Sequence, residues 1–156
     1  MPEKNKTYRA RIEGYTSEGL GVARIDGQAV FVHRALRGED CDVLILKVLK
    51  NAAFGKAVRV YAPSPHRVEP DCPYYGRCGG CDFRHMDREE ELEAKRQRVQ
   101  DALRRIGGSD VTVEGILSGA PLHYRNKSQY PVSADGQVGF LSLIHISEPT
   151  RRTPIS

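Results

Sequence analysis

Gly21-Val22-Ala23-Arg24-Ile25-Asp26-Gly27-Gln28-Ala29-Val30-Phe31-Val32 sets two short, apolar-rich runs on either side of Asp26-Gly27. Asp-Gly between such runs signals a two-residue hairpin, because both central positions of the favoured turn need a left-handed backbone. The stretch therefore reads as two antiparallel strands, Gly21 to Ile25 and Ala29 to Val32. Working outward, Thr7 to Tyr15, Cys41 to Lys50 and Gly55 to Tyr61 read as further strands, with turn residues at Ser17-Glu18-Gly19 and Arg37-Gly38-Glu39-Asp40. Five short strands predict a small OB-like barrel, which closes its own edges and commonly binds single-stranded or looped RNA on one face. Gly19-Leu20-Gly21 is a hairpin corner in this reading, since no strand-to-helix transition follows it as a phosphate loop would require. Cys41 alternates with Val43 and Ile45, so its side chain is expected inside the barrel as a small hydrophobe.

Ala62-Pro63-Ser64-Pro65-His66 ends the barrel, because two prolines so close together cannot continue a paired strand. Next comes Cys72-Pro73-Tyr74-Tyr75-Gly76-Arg77-Cys78-Gly79-Gly80-Cys81, which holds three of the four cysteines in ten residues. Thiolates coordinate soft metals, and the glycines let the backbone wrap closely around them, so the block reads as a metal site. One such site is zinc held by Cys72, Cys78, Cys81 and His85. Tyr74, Tyr75 and Phe83 are placed to shield bound metal from water, or to stack on unpaired bases. Asp87 then caps a helix over about Arg88 to Ile106, with Glu90 three residues on, acids in its first turns and Gly107-Gly108 as its stop. Leu92, Val99, Leu103 and Ile106 share one face of it, expected to pack, while Glu91 with Lys95 and Asp101 with Arg105 stand at ion-pair spacing. Val111 to Leu117, Tyr124 to Val132 and the start at Val138 read as strands of a further β unit.

The chain thus divides into a barrel at 1–62, a cysteine-rich segment at 63–86, a helix at 87–108, the start of a second β unit at 109–141 and a tail at 142–156. Its fold class is mainly β with one long helix. An apolar fraction of 39% without Trp in 156 residues suits modest cores rather than one large one. No apolar run is long enough to span a membrane, and the polar start lacks the apolar stretch of a signal peptide. A monomer in the cytoplasm is expected, where reduced thiols favour metal over disulfides. The net charge of +4 lies in the first part, where residues 1–70 hold 12 Lys and Arg against 8 Asp and Glu. Such an excess suits an RNA-facing surface. Arg34, Arg37, Lys47, Lys50 and Lys56 are the expected phosphate contacts.

The cysteine block, its flanks and Tyr124-Arg125-Asn126-Lys127 together resemble the bacterial 23S ribosomal RNA (uracil-5-)-methyltransferases, over about Lys6 to Phe140. The resemblance implies an RNA-binding TRAM domain over the barrel and a [4Fe-4S] cluster three of whose irons are held by Cys72, Cys78 and Cys81. It also implies that the segment around Arg125 and Lys127 enters a central RNA-contacting domain, although an exposed basic strand accounts for the two residues equally well. Its partner would be 23S ribosomal RNA. Enzymes of the family transfer a methyl group from S-adenosylmethionine to uracil C5.

After Phe140 the pattern is lost. Leu141 to Ser156 resembles translated adapter read-through and is expected to be non-native and disordered. No cysteine follows Cys81 to serve as fourth cluster ligand or as nucleophile, and no glycine-rich cofactor loop is present. The polypeptide alone is therefore expected to be inactive, as the RNA-binding and cluster-holding fragment of an enzyme. A stand-alone RNA-binding module with zinc, and a barrel that serves only as an adaptor, are the other readings.

Overall fold

The computed structural model describes residues 1–75, 81–124, 126, 127, 129–132, 136 and 138. Six strands form one curled sheet: β1 (Thr7–Arg11), β2 (Gly14–Tyr15), β3 (Gly21–Ile25), β4 (Gln28–His33), β5 (Asp40–Val48) and β6 (Ala52–Ala62). A single long helix, α1 (Arg88–Arg105), follows. The fold is the mainly β, OB-like half-barrel with one helix that the sequence predicts.

The sixth strand arises because the expected run from Thr7 to Tyr15 breaks at Ile12-Glu13. The sheet order is β1-β5-β6-β4-β3-β2, so its two edges are successive pieces of one chain. β1 pairs with β5, whereas β2 pairs with β3. Ile12 turns inward between them and is buried, while its N–H donates to the Glu39 carbonyl at 2.9 Å and that of Glu13 to the Val22 carbonyl at 2.7 Å. One strand thereby serves both edges, which curls the sheet and leaves few unpaired edge groups.

The hairpin forms as read. Asp26 and Gly27 have φ of 50° and 79°, and Ile25 pairs with Gln28 across them. Alternation along the strands sends Ala23, Ile25, Val30, Val32, Cys41, Val43 and Ile45 into one core. Cys41 is fully buried there, and desolvation pushes its thiol up to about 11, so it behaves as the expected small hydrophobe.

Asp87 caps α1, accepting a hydrogen bond from the Glu90 N–H at 2.9 Å. The Glu90 side chain does not return to close a capping box, because the Asp87 N–H is already bonded to the His66 carbonyl at 2.9 Å. The helix also buries a different face from the one expected. Ala94, Glu90 and Gln100 are buried, whereas Val99 is 51% exposed and Ile106 88%. Ion pairs form at Glu91–Lys95 and Asp101–Arg105 as read.

Val111 to Leu117 is extended but pairs with no strand among the described residues. Its peptide groups bond to α1 instead: Gln100 donates to the Val111 carbonyl at 2.9 Å and accepts from the Val113 N–H at 2.8 Å, and Arg96 donates to the Val113 carbonyl at 3.1 Å. Side chains of the helix replace a neighbouring strand. Only an isolated bridge, Val132 to Val138, marks the later expected strands among the described residues. The expected tail lies outside them.

The barrel is locked to the segment that follows it by Glu39, which is fully buried. Its carboxylate accepts from Arg67 at 2.6 and 2.7 Å, from the Leu36 N–H at 2.8 Å and from the Ser64 N–H at 3.1 Å. Burial alone would raise the Glu39 pKa, but the Arg67 bonds and the two backbone N–H groups outweigh it and hold the carboxyl below its ordinary value. A carboxyl depressed in the folded state stabilises the fold above its unfolded pKa and loses that contribution as pH falls through the folded value. Glu39→Gln is expected to lower the unfolding free energy at pH 7 by about 3 kcal/mol, since it leaves Arg67 beside a neutral group. Urea unfolding measured from pH 7 down to about pH 3 should also show a flatter acid dependence in the variant than in the unchanged chain.

Candidate nucleic-acid interface and cysteine site

The expected basic contacts fall into two groups. Lys47 on β5, Lys50 in the β5–β6 turn and Lys56 on β6 are exposed and have no ion-pair partner among the described residues. On the outer face of the sheet Lys47 lies opposite Phe54 and Lys56 opposite Leu44. Lys127 is exposed as well, and Arg125 lies outside the described residues.

Arg34 and Arg37 are engaged elsewhere. The Arg37 guanidinium donates to Glu90 at 3.0 Å, and its N–H donates to the Tyr15 hydroxyl at 2.9 Å. Tyr15 in turn donates to the other Glu90 oxygen at 2.7 Å, so three residues from barrel and helix close one ring of bonds. Glu90 has only 4% of its side chain exposed and needs these donors. Arg34 has φ of 61° at the end of β4, its guanidinium lies 5.3 Å from the Tyr75 ring centre and its carbonyl accepts from Arg67 at 2.9 Å. Both arginines therefore hold the barrel against the later segments.

The sequence reading passed over two aromatic features. Phe31 and Phe54 stand opposite each other on β4 and β6, with ring centres 5.3 Å apart. Tyr61 has the guanidinium groups of Arg9 and Arg59 at 4.5 and 4.8 Å from its ring centre, and its hydroxyl donates to Asp42 at 2.8 Å. Strict alternation supplied a signal for the first, because Val30 and Val32 point inward and leave Phe31 outside.

In the cysteine segment, Cys72 is half-buried and Cys81 exposed, while Cys78 lies outside the described residues. Near Cys72 and Cys81, the Arg84 guanidinium is fixed by Asp71 at 2.6 and 2.7 Å. Among the described residues no three His, Cys, Asp or Glu side chains are grouped for a metal ion.

His85 is buried, and its Nδ1 shares a hydrogen bond of 2.6 Å with the Tyr75 hydroxyl. Desolvation, helped by Arg67, pushes its imidazole down to about 4 and keeps it neutral, the form that ligates metal. Its Nε2 is buried without a hydrogen-bond partner among the described residues. The aromatic residues divide their tasks. Tyr74 is exposed, Tyr75 orients His85, and Phe83 packs on the β2–β3 corner, where a Cβ at Gly19 would stand 2.7 Å from the Phe83 ring. His66 bonds Asp87 through Nδ1 at 2.9 Å.

The curled sheet has a counterpart among known domain families: residues 3–58 match the TRAM domain. Beyond the TRAM domain, the similarity continues through the cysteine segment and the helix. The chain is 46% identical over 134 residues to a protein of Clostridium tetani described as an uncharacterized RNA methyltransferase, covering 85% of this chain and 29% of that protein. A Bacillus cereus protein with the same description is 42% identical over 132 residues, covering 83% of this chain and 29% of its own length. The chain is homologous to this group of RNA methyltransferases and spans about three-tenths of their length. Among solved structures it resembles the Pyrococcus abyssi tRNA (uracil-54, C5)-methyltransferase, crystallised with S-adenosyl-L-homocysteine, with 26% identity and a TM-score of 0.52. That likeness covers 85% of this chain and 28% of the other.

The Gly19–Phe83 contact gives a test of how the cysteine segment is held. Gly19 has φ of 81°, so Gly19→Ala meets both backbone strain and the Phe83 ring, and should cost about 2 kcal/mol of stability. In a Phe83→Ala background the same change should cost less, because only the backbone term remains, and a urea double-mutant cycle measures the difference.

Proposed function

We propose that this chain is the RNA-binding and cluster-holding part of an S-adenosylmethionine-dependent RNA (uracil-5-)-methyltransferase, with 23S ribosomal RNA as its substrate. The observation that carries the reading is the likeness to the Pyrococcus abyssi enzyme, which runs through barrel, cysteine segment and helix and so exceeds the TRAM domain alone. It is supported by the similarity of most of this chain to about three-tenths of the length of RNA methyltransferases, and by exposed Lys47, Lys50 and Lys56, which have no ion-pair partner among the described residues. Transfer RNA is the second reading, favoured by the substrate named for that archaeal enzyme. The chain spans about three-tenths of its relatives' length, and RNA binding is the part of the activity proposed for it. It acts as a monomer in the cytoplasm, and no helix among the described residues is long and apolar enough to cross a membrane.

Cys72, Cys78 and Cys81 hold three irons of a [4Fe-4S] cluster in this proposal. Zinc on the same cysteines with His85 is the alternative, favoured by the buried His85 Nε2, which has no hydrogen-bond partner among the described residues. Anaerobic purification with iron, sulfide and zinc analysis separates them. Iron and sulfide that disappear in Cys78→Ser but persist in His85→Ala support the cluster, and zinc lost in both variants supports the Cys3His site.

RNA binding is tested by filter binding of a 23S ribosomal RNA stem-loop and of transfer RNA across a salt series. Contacts from three lysines should give a slope of log K against log salt of about −2, reduced by about 0.7 for each Lys→Ala change. Arg37→Ala should lower stability while leaving that slope unchanged, because its charge is spent on Glu90. Tighter binding of transfer RNA than of the ribosomal stem-loop would favour the second reading.

A further inference from the structure

We propose that Phe31 and Phe54 form a stacking platform for single-stranded RNA bases on the outer face of the barrel, with Lys47 and Lys56 beside it for the phosphates. The proposal rests on the RNA-binding reading and assigns it a place and a mode of contact.

The register of the sheet builds the platform. Val22 on β3 stands opposite Phe31 on β4, Phe31 stands opposite Phe54 on β6, and Phe54 stands opposite Lys47 on β5. These four side chains form one row across four strands. Lys56 lies in the next row, opposite His33 on one side and Leu44 on the other. A bulge at Ile45–Lys47 brings Lys47, rather than Leu46, opposite Phe54.

Neither ring serves the core. Val30 and Val32, which flank Phe31, are fully buried inside the barrel, and the partly buried residues that pack on the core are Tyr8, Ala57 and Val60. Phe31 and Phe54 are half-buried, and their ring centres lie 5.3 Å apart with the planes 59° apart. Two phenyl rings outside a small barrel lose favourable burial unless something covers them.

The charges around the rings select the occupant. Lys47 and Lys56 have no acidic partner among the described residues, and Asp40 and Asp42 at the far end of β5 are bonded to Arg9 and Tyr61. Lysine is depleted in the cores of protein interfaces, whereas aromatic faces between free cations are the usual surface for single-stranded nucleic acid. Stacking reads no sequence, since every base has a π-face, so the platform holds an unpaired segment in place and leaves base choice to other residues.

The test measures fluorescence anisotropy of a labelled twelve-nucleotide oligouridine with the whole chain over a salt series. Phe31→Leu and Phe54→Leu keep apolar volume and should leave the thermal unfolding transition in place, while each weakens binding about tenfold with no change in salt slope. Lys47→Ala and Lys56→Ala should weaken binding and flatten the slope. Unchanged affinity in both leucine variants, with flattened slopes in the lysine variants, overturns the platform and leaves RNA binding by this face standing. Absence of salt-dependent binding by the unchanged chain overturns the RNA reading and the platform together. Competition by duplex RNA of equal length as strong as by the single strand also overturns the platform, because paired bases cannot stack on the rings.

Discussion

The architecture depends on one buried carboxylate. Glu39 closes the turn before β5 by accepting the Leu36 N–H, and it fixes the linker after β6 by accepting from Ser64 and Arg67. A charge so deeply buried is tolerable only when each lone pair has a donor, so the barrel and the cysteine segment are obliged to meet in this geometry. Arg67 extends the constraint to the Arg34 carbonyl, and its bridge with Met86 brings the end of the cysteine segment beside the linker. The loop that carries the cysteines is thereby held at both ends against the barrel.

A second polar knot performs the same task for the helix. Glu90 enters the space between α1 and the barrel and is met by Tyr15 and Arg37. The first turn of α1 is bound on its other side by His66, which bonds Asp87 through both its carbonyl and its ring. Polar anchors explain why the apolar positions of α1 stay exposed: Val99 and Ile106 face away from the barrel, and the extended 111–117 segment is attached through Gln100 and Arg96 rather than by packing. The basic residues divide along the same line. Arginines with fixed partners hold segments together, and the lysines of β5 and β6 have no ion-pair partner among the described residues.

Much of the barrel was legible because local chemistry decided it. Asp26-Gly27 demanded a hairpin, alternation placed Cys41 and its neighbours inside, and the two prolines after Ala62 ended the last strand. The helix and its Asp87 cap were legible for the same reason. The misreadings share a cause. The helix pattern pointed to Leu92, Val99, Leu103 and Ile106, yet the buried face is chosen by Glu90, whose partners are 75 and 53 residues away. Arg37, expected as a phosphate contact, is ion-paired to Glu90 on another element. The strand expected at Val111 to Leu117 has β-like residues but no neighbouring strand among the described residues, and a strand exists only in a ladder.

The sequence by itself determined the strand alternation, the turns, the capped helix and the presence of a closely spaced cysteine set, because each follows from backbone preferences and side-chain chemistry within a few residues. Only the tertiary structure decided that the first strand splits to serve both edges of the sheet, that Arg37 is held by Glu90, and that Phe31 meets Phe54 beside Lys47. Those outcomes depend on which distant groups come within hydrogen-bond or packing distance, and the closing of the sheet sets those distances.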